Sequence, residues 1–204
     1  MSTEEHWDKI YARRPTADLG WYEPEPSTLG LVTAHATLRD SVIDVGGGDS
    51  RLVDRLLDLG FGDLTVLDLS AVAIERARGR IGSRASAVAW IHADVTEFAP
   101  SRTWDLWHDR AVFHFLVTKA QRDAYRAAAF RAVAPEGLLV VATFSSEAPE
   151  KCAGLPVSRY DLDSLPAAFA PEFDVVTVSA IAPGRSAEGD RRPYVGAVLR
   201  RVAP

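Results

Sequence analysis

The sequence is poor in cysteine and carries no excess of positive charge. Cys152 is its only cysteine, so no internal disulfide can form. The chain has 23 Lys and Arg residues and 28 Asp and Glu residues, which gives a net charge of −5. This charge leaves no basic surface for sustained nucleic-acid binding. No apolar run is long enough to span a membrane, and charged residues stand where a signal peptide needs an apolar core. These absences predict a cytoplasmic protein with no nucleic-acid or membrane partner.

Motifs for two common cofactor classes are also missing. No His or Cys pair has ligand spacing, so we expect no metal site. From Gly46 and Gly48, the third glycine of a dinucleotide fingerprint would fall at Arg51, whose side chain would crowd the contact between helix and strand. A bound NAD is therefore disfavoured.

What the chain does have is a glycine turn between a strand and a helix. Residues 42–50 read Val-Ile-Asp-Val-Gly-Gly-Gly-Asp-Ser, a buried-strand pattern and then glycines, with Asp49 or Ser50 as the helix cap. Asp68 ends the next strand, about one βαβ unit later, where a ribose would need a partner. The pattern predicts a bound nucleoside, and a tight turn in an unrelated α/β protein is the alternative.

Strand and helix patterns alternate along the chain. Strands are predicted at about 41–45, 64–68, 87–92, 104–109, 137–144, 173–181 and 194–202, and helices at about 50–59, 71–81, 119–133 and 161–170. The length of 204 residues and the 47% hydrophobic content suit one domain spanning residues 1–204. We therefore predict an α/β fold, a doubly wound, mostly parallel sheet with helices on both faces. A turn-rich polar segment at 183–190 would close the last two strands into an antiparallel hairpin.

The glycine turn resembles the first motif of class I S-adenosylmethionine-dependent methyltransferases, with Asp44, Gly46 and Gly48 at the matching positions and Ser50 in place of a third glycine. The seven-stranded sheet ending in a hairpin is also that of the family, so the resemblance covers the whole chain. It implies that S-adenosyl-L-methionine is the cofactor. The implied cofactor-binding residues are Trp7, Tyr11, Trp21, Asp44, Gly46, Gly47, Gly48, Ser50, Asp68, Leu69, Asp94, Val95 and His108.

Each later motif has a second interpretation. In the family, an acidic residue such as Asp68 holds the ribose hydroxyls, and a pair such as Asp94 and Val95 contacts the adenine. Asp68 could instead cap the following helix, and Asp94 could begin a turn. The segment 134–137, Ala-Pro-Glu-Gly, matches a structural turn before the fifth strand.

The end of the fourth strand carries the candidate reacting groups, His108, Asp109, Arg110 and, farther along, His114. Ligands of open α/β sheets bind at this edge. The Asp-Arg-Ala step is similar to the Asp-Arg-Gly step of the thiopurine methyltransferase branch, which lies beside the substrate. Arg110 is the candidate for an anionic or polarisable substrate or the cofactor's carboxylate, and either histidine could accept a proton. A salt bridge to Asp109 or Asp105 and simple packing of the histidines are the alternatives.

Residues 1–38 form a predicted helical, aromatic arm. Its residues Trp7, Tyr11, Trp21 and Tyr22 resemble the arms of thiopurine and some seven-strand protein-lysine methyltransferases, which fold over the cofactor. Aromatic faces suit a sulfonium cation, although the arm could simply pack on the core. We expect methyl transfer to a sulfur, nitrogen or oxygen atom of a small molecule. A protein-lysine methyltransferase and a non-catalytic binder of the cofactor are the alternatives.

Overall fold

The computed structural model describes residues 2–182 and 192–203. Seven strands form one sheet in the order β3-β2-β1-β4-β5-β9-β8. They are β1 Ser41–Val45, β2 Asp63–Asp68, β3 Val88–His92, β4 Trp104–Arg110, β5 Val133–Phe144, β8 Phe173–Ile181 and β9 Tyr194–Arg201. The first five are parallel, whereas β9 runs antiparallel to both β5 and β8. This confirms the predicted sheet, although the predicted turn at 183–190 lies outside the described residues.

Six α-helices accompany the sheet within residues 2–182 and 192–203. They are α1 Thr3–Arg13, α2 Leu29–His35, α3 Leu52–Leu59, α4 Ala71–Ile81, α5 Lys119–Ala132 and α6 Ser164–Ala167. A separate small hairpin, not predicted, pairs β6 Lys151–Cys152 with β7 Leu155–Pro156. Along the described chain, no helix is both long and apolar enough to cross a membrane.

Three elements differ from the prediction by more than one residue. The helix predicted from residue 50 begins at Leu52, because the chain up to Arg51 completes the glycine turn. The helix predicted over 161–170 shrinks to one turn, Ser164–Ala167. The segment 134–137 interrupts the start of β5, where Glu136 has φ 63° and the register jumps.

Alternate residues of the central strands pack into different cores. Val42 of β1 joins the core beneath α3, with Leu52 and Leu56, whereas Ile43 joins the core beneath α5, with Tyr125. Successive strand side chains point to opposite faces, so both faces of the sheet are buried. β1 lies between β2 and β4, so the connection after β1 and the connection after β3 lead to opposite sides of β1. This arrangement leaves a crevice at the carboxyl ends of these strands.

Candidate functional site

A cavity of about 300 Å³ occupies this crevice. Of the residues predicted from the sequence, it is lined by Trp7, Tyr11, Trp21, Tyr22, Asp44, Gly46, Ser50, Asp68, Leu69, Asp94, Val95, His108 and Arg110. The predicted residues Gly47, Gly48, Asp109 and His114 do not line it. Most of the residues predicted from the sequence therefore line one cavity, and four of them lie outside its lining.

The glycine turn is shaped by its neighbours. Gly46 has φ 66°, and a β-carbon there would lie 2.0 Å from Cγ2 of Val112. At Gly48, with φ 29°, a β-carbon would lie 2.6 Å from Oδ2 of Asp68, and at Gly47 it would lie 2.5 Å from Oδ2 of Asp44. Gly47 and Gly48 therefore act from behind the cavity, since their missing side chains make room for the two carboxylates that face it.

Asp44 is held by a buried chain of polar side chains. Its Oδ1 lies 2.7 Å from Nδ1 of His108, and Nε2 of His108 lies 2.8 Å from the Thr28 hydroxyl. Both ring nitrogens of His108 are therefore engaged, so this histidine orients Asp44 and has no nitrogen left to accept a proton from a substrate. Oδ2 of Asp44 is buried and has no hydrogen-bond partner within residues 2–182 and 192–203. That oxygen adjoins Gly47, where a β-carbon would lie 2.5 Å from it.

Asp68 combines the two roles considered for it. Its Oδ1 accepts a hydrogen bond from the Ser70 backbone N–H at 2.8 Å, while Ser70 itself caps α4. Burial raises the pKa of Asp68 to about 7, and the negative charge of Asp44 adds to the shift. The ionised carboxylate has acceptor sites beyond the one that Ser70 uses, which suits a pair of ligand hydroxyls.

Asp94 also forms a turn while it faces the cavity. Its Oδ1 accepts hydrogen bonds from the backbone N–H and the hydroxyl of Thr96, at 2.8 and 2.7 Å. Ala93, Asp94 and Val95 all line the end of the cavity next to β3. One carboxylate oxygen is committed to the turn, and the other remains for a ligand.

The arm builds an aromatic wall. Trp7 packs edge to face against Trp21 and Phe115, with ring centroids 5.7 and 5.1 Å apart, and Tyr11 lies 6.1 Å from Trp21. These rings line the same cavity as Gly46 of the glycine turn. Phe115 was not predicted, although its spacing from the strand end could have indicated it.

Polar contacts that the sequence did not indicate fix the arm over the crevice. Asp8 accepts a hydrogen bond from the Ser70 hydroxyl at 2.6 Å, which ties α1 to the start of α4. Arg76 of α4 donates to the backbone oxygens of Tyr11 and Arg14. Asp49, predicted as a helix cap, instead accepts from Thr16 and pairs with Arg76 and Arg80. The arm is therefore joined to the helix that follows Asp68.

Arg110 lines the cavity on the β4 side. Its Nη2 donates to the Trp21 carbonyl at 3.1 Å, and its Nε lies 3.7 Å from the buried Glu23 carboxylate. The predicted partners Asp109 and Asp105 are thus replaced by Glu23 of the arm. Ala111 follows with φ 74°, in the left-handed region that favours glycine.

The structure corrects the expectation that Asp109 and His114 face the reaction. Asp109 points to the opposite face of β4, where it accepts hydrogen bonds from Val112, Phe113 and the Tyr125 hydroxyl, and burial raises its pKa to about 6. His114 is fully buried, and burial together with the nearby Arg110 charge lowers its pKa to about 3. Asp109 stabilises the strand-to-helix turn by accepting its backbone hydrogen bonds, and His114 is a neutral side chain packed in the interior.

The chemistry of the cavity matches one elongated ligand. Asp94, Asp68 and Asp44 follow one another along the carboxyl ends of β3, β2 and β1, and all three line the cavity with the aromatic rings. This order suits a flat polar ring, a pair of hydroxyls and a cationic amine, with a hydrophobic or cationic centre against the aromatic rings. The described residues contain no group of three or more His, Cys, Asp or Glu side chains arranged to hold a metal.

Comparison with known proteins agrees with this geometry. Residues 42–137, just under half of the chain, match the family model of a methyltransferase domain. The mouse eEF1A lysine and N-terminal methyltransferase is 24% identical over 127 residues, which are 62% of this chain and 18% of that protein. The chain therefore spans less than a fifth of the length of this curated relative.

Two solved structures share the fold over nearly the whole chain. One, from work on the conversion of a disulfide bond into a thioacetal group during echinomycin biosynthesis, has a TM-score of 0.76 at 23% identity and covers 98% of this chain and 93% of its own. The other is the N-methyltransferase NodS from Bradyrhizobium japonicum WM9 bound to S-adenosyl-L-homocysteine, with a TM-score of 0.70 at 18% identity and coverage of 95% and 97%. Residues 42–137 are thus similar to a methyltransferase domain, and the chain shares its fold with these two structures over nearly its whole length.

Proposed function

We propose that the protein transfers a methyl group from S-adenosylmethionine to a sulfur, nitrogen or oxygen atom of a small molecule. The observation that carries the proposal is one cavity lined by three carboxylates, Asp44, Asp68 and Asp94, at or just after the carboxyl ends of β1, β2 and β3. Carboxylates that line a cavity can accept hydrogen bonds from the amine and hydroxyl groups of a ligand.

The roles of the residues follow from their contacts. Asp44 would hold the amino group of the cofactor, Asp68 its ribose hydroxyls, and Asp94 with Val95 its adenine. Gly46 to Gly48 and Ser50 would let the backbone approach, with Leu69 beside the ribose. When bound, the cofactor supplies a methyl group already activated on a sulfonium. The protein mainly has to align the two reactants and exclude water, and the arm, residues 1–38, would cover the site.

A small acceptor is favoured by the enclosure of the cavity. The arm contacts the β6–β7 hairpin across the crevice, since His6 Nε2 lies 3.0 Å from the Ala153 carbonyl. An acceptor would have to enter the space between Arg110, Trp21 and Cys152 to reach the reaction centre. No side chain with a free acid–base nitrogen lines this space in the described chain, so a soft or already neutral nucleophile is favoured, as in the thiopurine branch.

The test is a methyl-transfer screen of the purified protein with radiolabelled S-adenosylmethionine. Thiols, amines, phenols and carboxylic acids of low molecular mass form one arm, and size-fractionated lysate proteins form the other. We expect label in small molecules. Binding of S-adenosyl-L-homocysteine, measured by calorimetry, is the matched control for a competent cofactor site.

A second candidate, methylation of protein lysine or an N-terminus, is favoured by the similarity to the eEF1A methyltransferases. A lysine side chain is long enough to enter a narrow channel from outside. Label confined to one lysate protein would favour this candidate. Cofactor binding without transfer to either arm would favour a non-catalytic binder.

A further inference from the structure

Arg76 on α4 joins the arm to the glycine turn through a single guanidinium group. Its Nη1 donates hydrogen bonds to the backbone oxygens of Tyr11 and Arg14, the latter at 2.9 Å. Its Nη2 donates to the Thr16 hydroxyl at 2.7 Å, and its Nε lies 3.2 Å from Oδ2 of Asp49. All three nitrogens are therefore engaged, two of them by the arm and one by the turn.

Asp49 is the residue of the glycine turn that the guanidinium group reaches. It lines the cavity, and its side chain is only 3% exposed. Its Oδ1 pairs with Arg80, whereas its Oδ2 pairs with Arg76 and accepts a hydrogen bond from the Thr16 hydroxyl. Because both oxygens are paired with protein groups, Asp49 connects parts of the cavity wall to one another.

Both segments joined in this way line the cavity. On the arm, the ring of Tyr11 packs edge to face against Trp21, with centroids 6.1 Å apart. In the turn, the Ser50 N–H donates to the Gly47 carbonyl at 2.7 Å, so the backbone is closed around Asp49. The guanidinium group itself is outside the described cavity lining. It therefore acts on a ligand through these two segments.

Other polar contacts of α4 and its cap hold one of the two segments each. The Ser70 hydroxyl donates a hydrogen bond to Asp8 of the arm at 2.6 Å. Arg80 pairs with Asp49 of the turn. Arg76 contacts the arm and the turn together, and the planar fork of a guanidinium suits such a contact because its donors point in several fixed directions.

We propose that Arg76 is a positioning residue of the cofactor site, one that couples closure of the arm to ligand binding at the glycine turn. The inference rests on the proposed function, because the ligand concerned is S-adenosylmethionine. A ligand on the turn fixes Asp49, and Asp49 fixes the guanidinium group and the Thr16 hydroxyl. These groups hold the arm from Tyr11 to Thr16 over the ligand. Without the guanidinium group the turn still binds its ligand, but the ligand no longer orders the arm.

The experiment compares Arg76→Met with Arg78→Met in amide hydrogen exchange, with and without saturating S-adenosyl-L-homocysteine. Arg78 stands on the same helix, is 48% exposed and pairs with Glu75. We expect the ligand to slow exchange in residues 8–18 of the wild type and Arg78→Met, and to slow it much less in Arg76→Met. The ligand should also dissociate about tenfold faster from Arg76→Met, since contacts of a charged group with the arm are lost. Full ligand-induced slowing in Arg76→Met would overturn the inference.

Arg76→Lys separates the shape of the side chain from its charge. Lysine keeps a positive charge near Asp49, but its single nitrogen cannot replace the three nitrogens of the fork. We expect Arg76→Lys to recover much of the melting temperature lost in Arg76→Met, without recovering the ligand-induced slowing of exchange in the arm. Recovery of both would show that the charge alone is needed and would overturn the assignment to the fork.

Thr16→Val keeps the inference testable if Arg76→Met does not fold. It removes the hydroxyl that joins Arg76 to Asp49 and leaves the guanidinium group in place. Its control is Thr33→Val, at an exposed position of α2 where the hydroxyl bonds within its own helix. We expect S-adenosyl-L-homocysteine to dissociate about threefold faster from Thr16→Val than from Thr33→Val. Equal rates would overturn the inference, whereas failure of the wild type to bind S-adenosyl-L-homocysteine would contradict the proposed function.

Discussion

Asp44 and His108 form a buried carboxylate–imidazole pair, 2.7 Å apart, across neighbouring strands β1 and β4. The pair is extended by Thr28, so one segment of the arm holds the histidine that holds the carboxylate. A carboxylate that lines the cavity is thereby oriented by the arm. Under the proposed function His108, expected as a cofactor-binding residue and as a possible base, would act by orienting Asp44.

Replacing His108 should therefore lower both the free energy of unfolding and the affinity for the cofactor. In His108→Ala the buried Asp44 carboxylate loses its partner, so we expect the free energy of unfolding to fall by about 3–5 kcal/mol and S-adenosyl-L-homocysteine to bind more weakly. Denaturant unfolding and calorimetry measure the two effects. His35→Ala, a partly exposed histidine at the end of α2, is the control. Unchanged stability in His108→Ala would contradict this role.

Asp68 should make cofactor binding depend on pH. Its pKa of about 7 means that the ligand-free site is partly protonated near neutrality, whereas ligand hydroxyls donate to the ionised form. Affinity for S-adenosyl-L-homocysteine should rise with pH by up to about tenfold per unit below 7 and then level off. In Asp68→Asn, calorimetry should show weaker binding without this rise. A pH-independent affinity in the wild type would count against the assignment.

The same carboxyl affects the stability of the ligand-free protein in the opposite direction. Its folded-state pKa of about 7 is above the value of 3.8 for an unperturbed group, so the native state binds more protons between these limits. Its contribution to stability is complete below about pH 4 and is lost as the pH rises through 7. Thermal unfolding from pH 4 to 8 should therefore show a smaller decline in Asp68→Asn than in the wild type.

Gly47 and Gly79 should respond oppositely to the same substitution. A β-carbon at Gly47 would lie 2.5 Å from the Asp44 carboxylate, whereas one at Gly79, on α4, would meet nothing within 4 Å. Gly47→Ala should lower both the melting temperature and cofactor affinity, because Asp44 must move. Gly79→Ala should add about 0.5–1 kcal/mol to the unfolding free energy, as expected within a helix. If Gly47→Ala and Gly79→Ala had the same effects on stability and binding, the turn would be shown to accommodate a β-carbon at Gly47.

The arm should be held by Asp8. Asp8→Ala removes the acceptor of the Ser70 hydroxyl, and we expect faster amide hydrogen exchange in α1 and faster release of S-adenosyl-L-homocysteine. Asp18→Ala, an exposed position in the same arm, is the matched control. Ligand should slow exchange in α1 of the wild type. Exchange unaffected by either the ligand or Asp8→Ala would make the arm a permanent part of the core.

The part of the site that could be predicted from the sequence is the set of residues at the carboxyl ends of the strands. Asp44, Asp68 and Asp94 each stand at or just after a strand pattern, and the parallel sheet brings such residues together. Alternation along β4 also separates His108 and Arg110, which line the cavity, from Asp109, which faces Tyr125. Applied to the sequence, that alternation would have removed Asp109 from the reacting group.

The remaining residues depend on which surfaces meet in the folded chain. Asp8 contacts Ser70, Arg76 contacts the backbone of the arm, and Thr28 contacts His108. No local pattern near any of them indicates its partner, because the contacts join segments about 60 or more residues apart. A single sequence gives the periodicity of an element but not the surface against which it packs.

Trp21, Tyr22 and Glu23 of the arm line the cavity, and Arg110 donates to the Trp21 carbonyl. Under the proposed function this wall would border both the cofactor and the acceptor, and the two ligands would then be thermodynamically coupled. A ligand that orders the wall from one side spares the other ligand that entropic cost, so each should raise the affinity for the other by the same factor. The arm would then act as a cooperativity device, one that favours the ternary complex over either binary one and retains the cofactor until an acceptor has arrived.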